Sequence, residues 1–76
     1  MSQLCKIATF RTTRSVMKAD SACKKAGIAA RVIAVPPTIS SECGMCLRLD
    51  INLIDEFIQL MESLSIETKI YDYTFI

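Results

Sequence analysis

Apolar residues in this chain recur with two different spacings, and the switches between them predict six elements. Leu4 to Phe10 reads as a short strand, and Arg11-Thr12-Thr13 breaks it. Thr13 is placed to cap a helix running to about Ala26. Val16, Ala19, Cys23 and Ala26 repeat at helical spacing and mark its buried stripe. Asp20 and Lys24 stand at i and i+4 on the wet side, and Gly27 closes the helix where positive φ costs it little.

Ala29 to Val35 is a second strand, rich in small and β-branched residues. Pro36-Pro37 ends it, because neither residue can donate to a ladder. Thr38 to Gly44 is a polar connection. Met45 to Asp50 follows as a third strand, with Met45, Leu47 and Leu49 on one face and Cys46, Arg48 and Asp50 on the other. Asp50 or Asn52 can cap a second helix, whose broad apolar side is Leu53, Ile54, Phe57, Ile58, Leu60, Met61 and Leu64. Ile66 to Tyr73 is the last strand.

The order is β-α-β-β-α-β, which predicts an α+β, ferredoxin-like fold: a four-stranded antiparallel sheet with two helices on one face. The other face carries no helix. Val35, Cys46, Tyr71 and Tyr73, with Ile33 alongside, are expected to look out there. An uncovered apolar patch on so small a fold suggests a homodimer.

Composition narrows the picture. The 76 residues, 1–76, are expected to form one domain. A chain of this size buries only roughly 60% of the surface it exposes when unfolded, so association would help it. A hydrophobic content of 51% predicts a packed core and not a disordered segment. Nine basic and eight acidic residues leave a net charge of +1, which argues against a general grip on nucleic acid. No run of about 18 apolar residues exists, so no membrane span is expected. Met1 to Lys6 lacks the basic flank and apolar centre of a signal peptide, and the cytoplasm is the expected compartment. Thiols stay reduced there, so the four cysteines do not imply a disulfide framework.

The chain has no histidine. It therefore lacks the commonest general base and metal ligand near neutral pH, and no Ser-His-Asp or Cys-His set can form. With only Gly27 and Gly44, it has no glycine-rich phosphate loop. Sulfur is left as the atom for chemistry. Cys23 lies in a helix stripe and Cys5 in a strand, where a thiol packs as a small hydrophobe. Cys43 is different: it follows Ser40-Ser41-Glu42 and precedes Gly44, in a turn-prone connection. Successive amides in such a bend can converge on an anion, and a thiolate is one. Arg48 could add positive charge; Glu42 works the other way.

Cys43 and Cys46 form a C-x-x-C. Redox pairs of this spacing sit at a helix N-terminus, whereas this one enters a strand. In a regular strand the two sulfurs point to opposite faces, and only a real turn would join them. A structural zinc takes four ligands, and one C-x-x-C supplies two, so a metal site would need both halves of a dimer. No metal and no cofactor is expected.

The run Pro36-Pro37-Thr38-Ile39-Ser40-Ser41-Glu42-Cys43-Gly44-Met45-Cys46-Leu47-Arg48-Leu49 resembles a family of small bacterial and archaeal selenium/sulfur carrier-like domains. Those domains share a strand, a helix ending in glycine like Ala26-Gly27-Ile28, a loop of the form Pro-x-x-Ile-Ser-Ser-x-Cys-Gly and a short apolar strand with a basic residue. The resemblance spans nearly the whole chain. It carries over Cys43 and Gly44 directly, and Ser40, Ser41 and Arg48 less closely. Many members have a small residue at the place of Cys46, and a basic one at the place of Pro37, so both are departures.

The resemblance implies a sulfur or selenium carrier and not an enzyme. Cys43 would hold the chalcogen, with Cys46 as a resolving thiol if the loop bends inward. Ser40, Ser41, Gly44 and Arg48 would support the charged form. Its partners would be a cysteine desulfurase or another sulfur or selenium donor, and an acceptor protein. The alternative is a dimeric interaction or regulatory module that uses the open sheet face, Tyr71 and Tyr73 included, with incidental cysteines.

Overall fold

A computed structural model describes residues 3–39 and 43–75, with side chains described for 5–39 and 43–73. Strand β1 (Gln3–Thr9) leads into helix α1 (Thr13–Ala26), then strand β2 (Ala30–Ala34) and strand β3 (Met45–Asp50). A single 3-10 turn over Ile51–Leu53 precedes helix α2 (Ile54–Ser63), and strand β4 (Lys69–Phe75) closes the fold. The strands form one antiparallel sheet in the order β2-β3-β1-β4, and the arrangement is the ferredoxin-like one.

The helix boundaries follow from capping chemistry. Thr12, one residue before the expected cap, is extended (φ −137°, ψ 156°), and its hydroxyl accepts from the Ser15 amide at 3.1 Å. Thr13 is thereby freed to be the first helical residue. At the other end Gly27 takes φ +76°, its amide donates to Lys24 O, and the Ile28 amide donates to Cys23 O at 2.8 Å. This double bond is a Schellman closure, and the apolar contact that accompanies one is present, because Ile28 and Cys23 both join the core. Ile28 takes the buried place expected of Ala26, which is exposed. Lys24 and Asp20 pair at 3.2 Å on the outer face of α1.

Three other details differ from the pattern-based expectation. Asp50 caps the 3-10 turn, accepting from the Asn52 amide at 3.0 Å, so α2 proper starts only at Ile54. Ile58 does not join the core cluster, although the other apolar positions expected of α2 pack into it or against it. Strand β4 begins at Lys69 because the preceding residues serve the helix exit. Ser65 holds φ +56°, the Ile66 amide donates to Met61 O at 3.0 Å, and the Thr68 hydroxyl donates to Thr9 O at 2.8 Å.

The main core lies between the helices and one face of the sheet. Val16, Ala19 and Cys23 from α1 and Phe57 and Met61 from α2 pack on Ala8, Leu47 and Leu49. Phe10 and Phe57 meet edge to face with ring centres 6.5 Å apart, which ties the end of β1 to α2. The helix-free face has its own shielded layer. Ile7 and Cys46 are 0% exposed there, and Cys5 and Thr9 are nearly so. In the register Ile7 sits between Arg48 and Tyr71, and Cys46 between Ile33 and Thr9, so Cys46, expected to look out on this face, is instead buried. No helix among the described residues is long and apolar enough to cross a membrane.

Candidate functional site around the Cys43 thiol

All four cysteines are thiols outside any disulfide, and three of them are buried. Cys23 sits in the α1 stripe, where burial, followed by the nearby Asp20 carboxylate, pushes its thiol up. Cys5 is on β1, opposite Asp50 of β3 and Tyr73 of β4. Cys46 is fully enclosed, its Sγ 4.0 Å from Ala34 O. Its pKa is pushed up to about 11, first by burial and then by the Cys43 and Cys5 sulfurs. A thiol so held stays protonated and is a poor nucleophile at neutral pH.

Cys43 alone keeps partial access to water. It stands two residues before β3, at the end of the connection from β2, and packs against the helix-side core beside Met45. Its Sγ donates to Met45 O at 3.1 Å. That contact holds the side chain in place at the start of β3. Gly44 next to it adopts φ +76°, and a Cβ built there would meet nothing within 4 Å. The glycine is therefore required for backbone conformation and not for space. Gly44 O accepts from the Val35 amide at 3.1 Å, which pins the foot of the connection to the end of β2. On the β2 side, the Ile39 amide donates to Pro36 O at 2.9 Å, a turn that leaves Pro36 buried.

The sequence-predicted residues do not all converge. Ser40 and Ser41 lie outside the described residues, as does Glu42. Gly44 adjoins Cys43. Cys46 and Arg48 stand on the helix-free face, since they alternate with Leu47 and Leu49 of the main core. Arg48 is half-buried, with Ile7 and Arg31 as its cross-strand neighbours. Among the described residues, no group of three or more Cys, Asp or Glu side chains is arranged to hold a metal ion.

One juxtaposition escaped pattern reasoning. Arg31 of β2 and Arg48 of β3 are directly opposite one another. They line a cleft together with Cys5, Ala29 and Asp50. Nothing local in the sequence signals it, because residues seventeen apart meet only once the β2–β3 register is set.

The sequence profile of a family described as "Putative Se/S carrier protein-like" matches residues 5–72. No curated protein and no solved structure matches the chain.

Proposed function

The chain belongs to that Se/S carrier-like family, and on this premise we propose that it carries sulfur or selenium on Cys43. The observation behind the reading is exposure: of four thiols, Cys43 is the one not buried.

The transfer is thiol exchange at a sulfane sulfur. Cys43 gives its proton to water. The thiolate attacks the outer sulfur of a donor persulfide, such as that of a cysteine desulfurase. A new S–S bond forms at Cys43 while the donor's S–S bond breaks, and the donor leaves as a thiolate. No net oxidation occurs. Selenium follows the same course with an outer selenium atom. Delivery to an acceptor protein is the reverse step. Cys46, buried and protonated on the other face, takes no part in this reading.

The test is loading by a cysteine desulfurase and cysteine, followed by intact-mass measurement. Wild type gains one sulfur; C43S gains none, while C5S, C23S and C46A load as wild type does. Equal uptake by C43S would overturn the reading.

A further inference from the structure

We infer that the helix layer docks a second copy of this chain, each α1 lying over its partner's α2. The net charge of +1 conceals a segregation by sign. Residues 11–25 hold Arg11, Arg14, Lys18, Lys24 and Lys25 against the single acid Asp20, whereas residues 50–67 hold five acids and no base. The buried stripe of α1 is Val16, Ala19 and Cys23, so its solvent ridge is Arg14, Lys18, Ser21 and Lys25, all exposed. The buried residues of α2 are Phe57 and Met61, so its ridge is Asp55, Gln59 and Glu62, all exposed. Both helices pack on the same face of the sheet, so a basic ridge and an acidic ridge run side by side.

Among the described residues, the ion pairs of this layer are Lys24 with Asp20 and Arg11 with Glu67, and the two ridges are not joined to each other. Two ridge charges also oppose their own helix dipoles. Arg14 stands in the first turn of α1, at the positive end, and Glu62 in the last turn of α2, at the negative end. These ends are neighbours, because Arg14 and Lys18 line one cleft with Leu64 to Glu67. A two-fold axis parallel to the helices and midway between them exchanges α1 for α2 while keeping each level along the axis. It sets Arg14 and Lys18 against the partner's Glu62, and Lys25 against the partner's Asp55.

A partner of one charge would satisfy one ridge; a second copy satisfies both. Met17, 55% exposed on α1, and Ile58, outside the core cluster on α2, add apolar area beside the ridges. The fold is a slab of 33 × 26 × 15 Å, so its broad face has room for the roughly 800 Å² per partner of a stable interface. The inference is independent of the Cys43 reading, since loading is read at a thiol and association at these charges.

The experiment follows the full chain, in reductant, by sedimentation velocity over a range of concentrations. Wild type is expected to dimerise at low salt and to dissociate about tenfold more readily in about 0.5 M sodium chloride. R14E/K18E and Q59K/E62K each set like charges across the two-fold and weaken association by about a hundredfold or more. Each pair of substitutions suits its own helix dipole, so both variants remain folded. Mixed together they restore the dimer, because the reversed ridge of one then faces the reversed ridge of the other. R31E/K69E, which adds negative charge on the helix-free face, does not restore Q59K/E62K. The proposal is overturned if wild type stays monomeric at low salt, if either helix variant associates as wild type does, or if the mixture of the two remains monomeric. Rescue of Q59K/E62K by R31E/K69E would also overturn it, by showing that net charge alone drives association.

Discussion

Cys43 and Cys46 are three residues apart in the chain yet serve opposite faces of the sheet. Cys43 packs on the helix side beside Met45, and Cys46 is enclosed on the other face between Ile33 and Thr9. A strand separates side chains this way whenever alternation is regular, and β3 is regular from Met45 onward. The spacing of a redox pair is therefore present without its geometry. Mild oxidation of the folded protein is expected to leave the Cys43–Cys46 pair unlinked. Peptide mapping that recovers an intramolecular Cys43–Cys46 bridge in high yield would contradict this arrangement.

The four thiols should differ sharply in alkylation. Iodoacetamide at neutral pH is expected to modify Cys43 first, with Cys5, Cys23 and Cys46 reacting only after denaturation, as burial predicts. Time-resolved mass spectrometry of the native protein gives the order. Faster labelling of any buried cysteine would show that the fold opens there.

Cys46 also predicts a pH effect. Its folded pKa, about 11, lies above that of an unfolded thiol, so the folded state holds the proton to higher pH. Its stabilising contribution is complete below the unfolded value and is lost as pH rises towards 11. The loss is on the order of 2 kcal/mol between about pH 9 and 11. Tyrosines and lysines titrate in the same range, so the comparison is with C46A, whose stability should fall less over that interval. Parallel pH profiles of the two proteins in urea denaturation would refute the assignment.

Much of this architecture is legible in the sequence. The alternation Met45-Cys46-Leu47-Arg48-Leu49-Asp50 gives both faces of β3, and Gly27 gives the end of α1. The errors sit where one residue has two possible duties. Asp50 caps a 3-10 turn that delays α2, and Ile66 with Thr68 completes the exit of α2 although its spacing reads as strand. The site is legible in part. A thiol between a polar loop and glycine stands out locally, whereas the Arg31–Arg48 pair requires the register of two strands.

Ser65 occupies the left-handed position that Gly27 occupies in α1. A side chain there costs about 1 kcal/mol that glycine avoids. S65G is expected to raise the melting temperature by roughly 4–8 °C. A lower melting temperature would show that Ser65 makes a compensating contribution.

Gly44 gives the converse case. At φ +76° with no neighbour to clash, G44A should cost about 1–2 kcal/mol from backbone strain alone, and G44N less, because asparagine tolerates this region. Chemical denaturation of the two variants separates strain from crowding. Equal losses for Ala and Asn would point away from backbone strain.

The most direct test locates the carried atom. The protein is loaded by a cysteine desulfurase with radiolabelled cysteine, the outer sulfur is capped by alkylation, and the digest is resolved into its four cysteine peptides. Label confined to the Cys43 peptide, and removable by dithiothreitol before capping, is the predicted result. Label on Cys5, Cys23 or Cys46 instead, or none on any peptide, would contradict the account.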